Sequence, residues 1–87
     1  MNTINVGIAD DHLLFREGIR LILDREPQVQ LILDASNGQE LIDAIEQGNH
    51  PDVVLVDLKM PVYDGMETTR ELKANFPEIK ILILTMM

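Results

Sequence analysis

The chain has 87 residues, a formal charge of −8, 46% hydrophobic residues and no cysteine. That length holds one small domain with a limited core, and the lack of cysteine excludes disulfides, thiolate metal sites and thiol nucleophiles. The acidic balance makes this chain by itself a poor partner for nucleic acid or anionic lipid; no apolar run approaches a membrane span or a secretion signal, so a cytoplasmic location is expected.

Short apolar runs alternate along the chain with stretches of helical period. Ile4 to Ala9 is predicted as the first strand. A helix is predicted from about Leu13 to Arg25, with Phe15, Ile19 and Ile22 on its inward face. Glu26-Pro27 ends it, because the residue before a proline avoids the helical region. Gln30 to Asp34 is the second strand. Ser36 followed by Gln39 fits a capping box for a second helix that turns Leu41, Ile42 and Ile45 inward and stops near Gly48. Val53 to Asp57 is the third strand. Asp64 and Glu67 mark the start of a third helix that ends near Phe76-Pro77, and Lys80 to Thr85 is the fourth strand.

The order βαβαβαβ specifies an α/β fold with a parallel sheet and helices on its faces. No repeat, linker or low-complexity segment interrupts it. Leu82 and Leu84, or Ile81 and Ile83, are expected to lie thinly covered on an open sheet edge, a template for self-association or for exchange of elements between copies.

The chemistry is concentrated at two strand ends. Val53-Val54-Leu55-Val56 runs directly into Asp57, and the first apolar run ends in Asp10-Asp11. Open α/β sheets bind ligands at the carboxyl ends of their strands. If these two strands are neighbours, about 4.8 Å apart, three carboxylates meet in one crevice. Such a cup suits magnesium, a hard cation that takes oxygen ligands and keeps several waters. Asp57 is then placed to accept a phosphoryl group as an acyl phosphate, with Asp10 and Asp11 holding the metal. The duller alternative is that Asp11 only caps the first helix and Asp57 only marks a strand end. His12 beside the pair reads as a helix-start residue, since no second nearby His or Cys completes a zinc site.

Together these residues resemble a known family. Ile8-Ala9-Asp10-Asp11-His12, Val56-Asp57-Leu58-Lys59-Met60-Pro61, Asp64-Gly65 and Leu82-Ile83-Leu84-Thr85 are similar to the receiver domain of two-component response regulators. Asp10-Asp11-His12-Leu13-Leu14-Phe15-Arg16-Glu17-Gly18 resembles the subfamily whose receivers precede a LuxR-type helix-turn-helix domain. The resemblance covers the whole chain. It implies a flavodoxin-like doubly wound sheet, here incomplete, with strand order 2-1-3-4. It implies that Asp57 is the phosphoacceptor, that Asp10 and Asp11 are the acidic pair with Asp11 a direct magnesium ligand, and that Lys59 offers its backbone carbonyl to the metal. Thr85 matches the switch hydroxyl, and Pro61 and Gly65 match the loop and helix-start positions. The family pattern continues with a fifth strand carrying a lysine. Residues 1–87 are therefore expected to be the N-terminal part of a receiver domain without an output domain.

The function implied is signalling: a sensor histidine kinase donates a phosphoryl group to Asp57, and the switch is relayed to an output domain outside this chain. DNA binding by this chain and membrane association are not expected. The competing enzyme class is a small phosphatase of haloacid-dehalogenase type, which needs a second acid two positions after its nucleophilic aspartate. Lys59 stands there, so no enzyme of that type is expected. A non-signalling fragment is the remaining alternative. A nucleotide site is disfavoured because Ala9 to Leu13 has no glycine-rich phosphate loop.

Overall fold

The computed structural model describes residues 3–60 and 63–84; Pro61, Thr85 and the terminal Met86-Met87 lie outside the described residues. The elements follow in the order β1 (Ile4–Ala9), α1 (Leu13–Asp24), β2 (Val29–Ala35), α2 (Gly38–Glu46), β3 (Val53–Asp57), α3 (Gly65–Asn75) and β4 (Lys80–Leu84). The four strands form one parallel sheet in the order β2-β1-β3-β4, as expected. β2 is one residue longer at each end than the sequence suggested.

Helices lie on both faces of the sheet, and the alternation of β1 shows how. A methyl group placed on Gly7 would touch Leu33, Val54 and Leu41 of α2. Gly7 and Ala9 therefore face α2, and the fully buried Ile8 between them faces the other way. On the α2 side the core is built from Ala9, Leu33, Leu41, Ile42, Ile45, Val54, Val56 and Leu72. Leu41, Ile42 and Ile45 are fully buried, as their spacing predicted. Each contributes about 2 kcal/mol of hydrophobic stabilisation before chain entropy is counted.

The α1 side is thinner. The face predicted for α1 is only partly correct. Phe15 and Ile19 are half-buried, but Ile22 is 62% exposed, and no residue of α1 is fully buried. The helix lies mainly against β2, which leaves part of its apolar stripe, including Leu14 and Leu21, in contact with solvent.

Helix starts differ from expectation by one residue in α2. Asn37 is the N-cap, its side chain accepting from Glu40 N–H at 2.9 Å, and Glu40 accepts in return from Ser36 N and Oγ, both at 2.9 Å. The cap is displaced from Ser36 to Asn37, and the return bonds to Glu40 come from Ser36, one residue before the cap, because Asn and Ser are both good caps. In α3 the cap is as predicted, with Asp64 accepting from Glu67 N–H at 2.9 Å. α2 ends at a left-handed Gly48 (φ 109°), whose N–H donates to the Ile45 carbonyl at 3.0 Å.

The Glu40 box makes stability depend on pH. The two hydrogen bonds from Ser36, the backbone one first, hold the Glu40 carboxyl below its ordinary value. A carboxyl depressed in the folded state adds stability above its unfolded value, and that stability is lost as pH falls through the folded value. The melting temperature of a Glu40→Gln variant should therefore fall less steeply than that of the parent on acidification below about pH 4.5. Identical slopes would show that the box is not coupled to folding.

Candidate functional site

The β1–β3 pairing decides where the acids go. Ala9 lies opposite Val56 in a parallel register, so the next residue of each strand, Asp10 and Asp57, emerges at the same end of the sheet. β1 is carried past Asp10 by a hydrogen bond from Asp10 N–H to the Ala35 carbonyl at 3.1 Å. Asp10, Asp11 and Asp57 each place a ligand atom, together with one from His12, within 4.8 Å of one another. The cup inferred from the two strand ends is present.

Its members differ in environment. Asp10 is fully buried and Asp57 is 3% exposed, whereas Asp11 and His12 lie at the surface. Asp10 Oδ1 accepts from His12 N–H at 2.8 Å and lies 3.0 Å from His12 Nδ1. Asp10 Oδ2 has no partner among the described residues although it is buried. Asp57 Oδ1 accepts from Lys59 N–H at 3.3 Å, which ties the first turn of the following loop to the carboxylate. Burying anions so sparsely paired is costly unless a cation or further donors complete the set.

Asp11 does not cap α1. The N-cap is His12, which makes no side-chain capping bond; its backbone N–H goes to Asp10 instead. The unexpected member of the cup is the His12 ring. Its Nδ1 lies 3.0 Å from Asp10 Oδ1, 3.1 Å from Asp11 Oδ1 and 4.0 Å from Asp57 Oδ2. The hydrogen bond to Asp10 and then the charge of Asp11 raise the imidazole above its ordinary value, favouring the protonated ring. The sequence signal was available, since a histidine directly follows two acids at a strand end. What the sequence lacked was the side-chain direction that turns the ring inward.

The surroundings hold these groups in place. Arg16 of α1 donates to the Asp10 carbonyl at 2.8 Å and sets its Nε 2.9 Å from Asp34 Oδ1, an ionic contact more than a directed hydrogen bond. Arg20 donates to Asp34 Oδ2 at 2.7 Å. On the other side, Gly65 N–H donates to the Leu58 carbonyl at 3.1 Å, seating α3 against the end of β3. Tyr63 donates its hydroxyl to Glu71 at 2.7 Å, anchoring the loop before α3 to that helix. The Lys59 side chain is exposed.

The donor set fits a hard divalent cation. It offers carboxylate oxygens from two strand ends, one of them buried and unpartnered. A nucleotide loop is absent, since the turn from Ala9 to Leu13 contains no glycine. No helix among the described residues is long and apolar enough to cross a membrane.

Response regulators are among the known proteins that this chain resembles. The response regulator receiver domain family matches residues 6–87. The transcriptional regulatory protein DegU of Brevibacillus brevis is 42% identical over 84 residues, covering 97% of this chain and 35% of that protein. Response regulator UvrY of Escherichia coli O6:H1 is 39% identical over 82 residues, covering 94% of this chain and 37% of UvrY. The chain thus spans about a third of the length of these curated relatives. Among solved structures, the non-phosphorylated receiver domain of the stress response regulator RcsB from Escherichia coli superposes with a TM-score of 0.90 at 34% identity, covering 99% of this chain and 67% of that one. A LuxR-family two-component response regulator from Aurantimonas superposes with a TM-score of 0.88 at 31% identity, covering 99% of this chain and 61% of that one.

Proposed function

Because this chain belongs to the response regulator receiver domain family, we propose that it is a phosphoacceptor module in which Asp57 takes a phosphoryl group from a sensor histidine kinase. The observation that carries the proposal is the convergence of Asp10, Asp11 and Asp57 at the paired ends of β1 and β3. Asp10, Asp11, Asp57 and the Lys59 carbonyl would hold a magnesium ion. Bound there, it would supply positive charge to the oxygens of the transferring phosphoryl group.

The chain's own residues do the rest. A carboxylate oxygen of Asp57 attacks phosphorus, a new P–O bond forms, and the bond to the donor breaks with its electron pair leaving on the donor. The Lys59 N–H contact to Asp57 Oδ1 orients the carboxylate for that attack. Arg16, through the Asp10 carbonyl, fixes the turn that carries Asp10 and Asp11. Thr85, the residue after Leu84, would supply the hydroxyl that turns toward the new phosphoryl group and converts charge into a change of shape. We read residues 1–87 as the N-terminal part of a receiver domain, which agrees with their covering 67% of the RcsB receiver structure. Relay to a transcriptional output domain outside this chain, and a cytoplasmic setting, belong to the same proposal. The relatives bear regulatory names and Lys59 stands where a phosphatase would need an acid, so signalling is favoured over turnover.

The test is exposure of the chain to acetyl phosphate or beryllofluoride with magnesium. One phosphoryl group should appear on Asp57 and be absent from Asp57→Asn. Labelling elsewhere, or none in a folded chain, overturns the proposal.

A second partner reading follows from the sheet edge. β4 lies at the margin of the sheet, with Leu82 57% and Ile83 39% exposed. An apolar, uncovered edge strand invites pairing with another copy. The 87-residue chain should sediment as a concentration-dependent oligomer, and Ile83→Lys should shift it toward monomer. A folded monomer at high concentration would contradict this.

A further inference from the structure

We propose that His12 is a ligand of the same cup, making it a mixed nitrogen–oxygen site that takes a borderline divalent cation of the zinc class as well as a hard one. The inference rests on reading the cup as a cation site but adds a residue and a class of metal to it. Three observations carry it. First, the ring is turned into the cup, with Nδ1 3.0 Å from Asp10 Oδ1 and 3.1 Å from Asp11 Oδ1. Without an ion these contacts are a hydrogen bond and an ion pair; adjacent ligands each about 2.1 Å from an octahedral ion also stand about 3.0 Å apart, so the ring nitrogen already stands where a ligand would. Second, all four ligand atoms lie within 4.8 Å of one another, a few tenths of an ångström beyond the separation of about 4.2 Å between opposite ligands each about 2.1 Å from an ion, so a small adjustment of the exposed members brings them onto one ion. Third, Asp10 is fully buried with Oδ2 unpartnered, which leaves a fixed anionic ligand in want of a donor or a cation.

The chemistry of the donors sets the preference, and carboxylates take the places of the second nearby His or Cys that the sequence lacks. Carboxylate oxygens alone suit magnesium, calcium and manganese, whereas an imidazole nitrogen adds affinity for zinc, nickel and copper. The proton that Nδ1 shares with Asp10 is released to solvent when the ion takes its place. Asp10 and Asp57 are held at paired strand ends, so the imidazole, on the exposed side, is free to close on a zinc-class ion and to stand aside for magnesium.

The experiment is calorimetric titration of the 87-residue chain with zinc and, separately, with magnesium. Parent, His12→Ala, His12→Phe and His50→Ala are compared. His12→Phe keeps a ring without nitrogen, and His50, edge-on to Phe76 at 5.9 Å, is the control for adventitious imidazole binding. Zinc should bind the parent more tightly than magnesium. Both His12 substitutions should weaken zinc at least about tenfold and leave magnesium within about twofold, while His50→Ala changes neither. Circular dichroism checks that each variant is folded. Unchanged zinc affinity in folded His12 variants overturns the inference and leaves the magnesium reading standing. A rise in magnesium affinity with zinc unchanged also overturns it, showing the ring to be a competing occupant and not a ligand. Failure of the folded parent to bind either ion removes both this inference and the cation reading beneath it.

Discussion

Replacing Gly65 by alanine is expected to destabilise the chain by about 3 kcal/mol, the upper end of the range for overpacking a tight contact. The new Cβ would lie 2.6 Å from the Asp57 carbonyl oxygen, 2.8 Å from Leu58 Cα and 3.1 Å from the Asp57 carbonyl carbon. All three are backbone atoms of the segment that carries the proposed acceptor, so no side chain can swing aside. Either α3 lifts from the end of β3, losing the Gly65 N–H bond to the Leu58 carbonyl, or Asp57 is pushed out of register with Asp10. Phosphoryl acceptance should therefore fall along with stability. Gly18→Ala is the control. Nothing lies within 4 Å of the added methyl, and alanine in the interior of α1 should be neutral or stabilising by up to about 1 kcal/mol. Urea unfolding of the three proteins separates the cases. A Gly65→Ala chain as stable as the parent would mean that the α3–β3 junction yields more readily than its geometry indicates.

The second large effect has opposite signs for stability and function. Asp10→Asn should stabilise the ion-free chain by about 1–3 kcal/mol, the scale of an unsatisfied buried polar group, and so raise its melting temperature by several degrees. Asp10 Oδ1 must go on accepting from His12 N–H, which places the new amide nitrogen where the orphaned Oδ2 now stands. A donor then replaces an unpartnered carboxylate oxygen, which outweighs the loss of the ion pair with the exposed His12 ring. The same change removes a charged ligand, so magnesium affinity should drop at least about tenfold and added magnesium should no longer raise the melting temperature. Thermal melts in EDTA and in magnesium make the comparison. A lower melting temperature in EDTA would mean that the carboxylate is already satisfied in the fold and that the cup is not kept strained for an ion.

Most of the frame was legible because the strands are uninterrupted apolar runs and the helices carry a clear period. Val53 to Asp57 and Ile4 to Ala9 are strands with the predicted ends, and their pairing put the three acids together. Less legible was anything set by three-dimensional neighbours. Ile22 fits the apolar stripe of α1 as well as Ile19 does, yet only the packing partner of that helix decides which is covered. Adjacent Ser36 and Asn37 are equivalent as caps in sequence, and the choice fell to the residue whose side chain reaches Glu40 N–H. His12 carries no periodic signal at all. Its place in the cup depends on a ring rotation that brings Nδ1 between two carboxylates, and no spacing rule reports a rotamer.

The proposed carboxylate ligands come from two segments far apart in the chain, Asp10-Asp11 and Asp57. Neither half of the chain offers the set alone; it exists only after β1 has found β3. An ion that binds only the paired strands stabilises the native chain by an amount that grows with the logarithm of its concentration, about 4 kcal/mol at a thousandfold excess over its dissociation constant. On the proposed function, the ion would thus inspect the scaffold, and a misassembled copy would be deaf to a kinase.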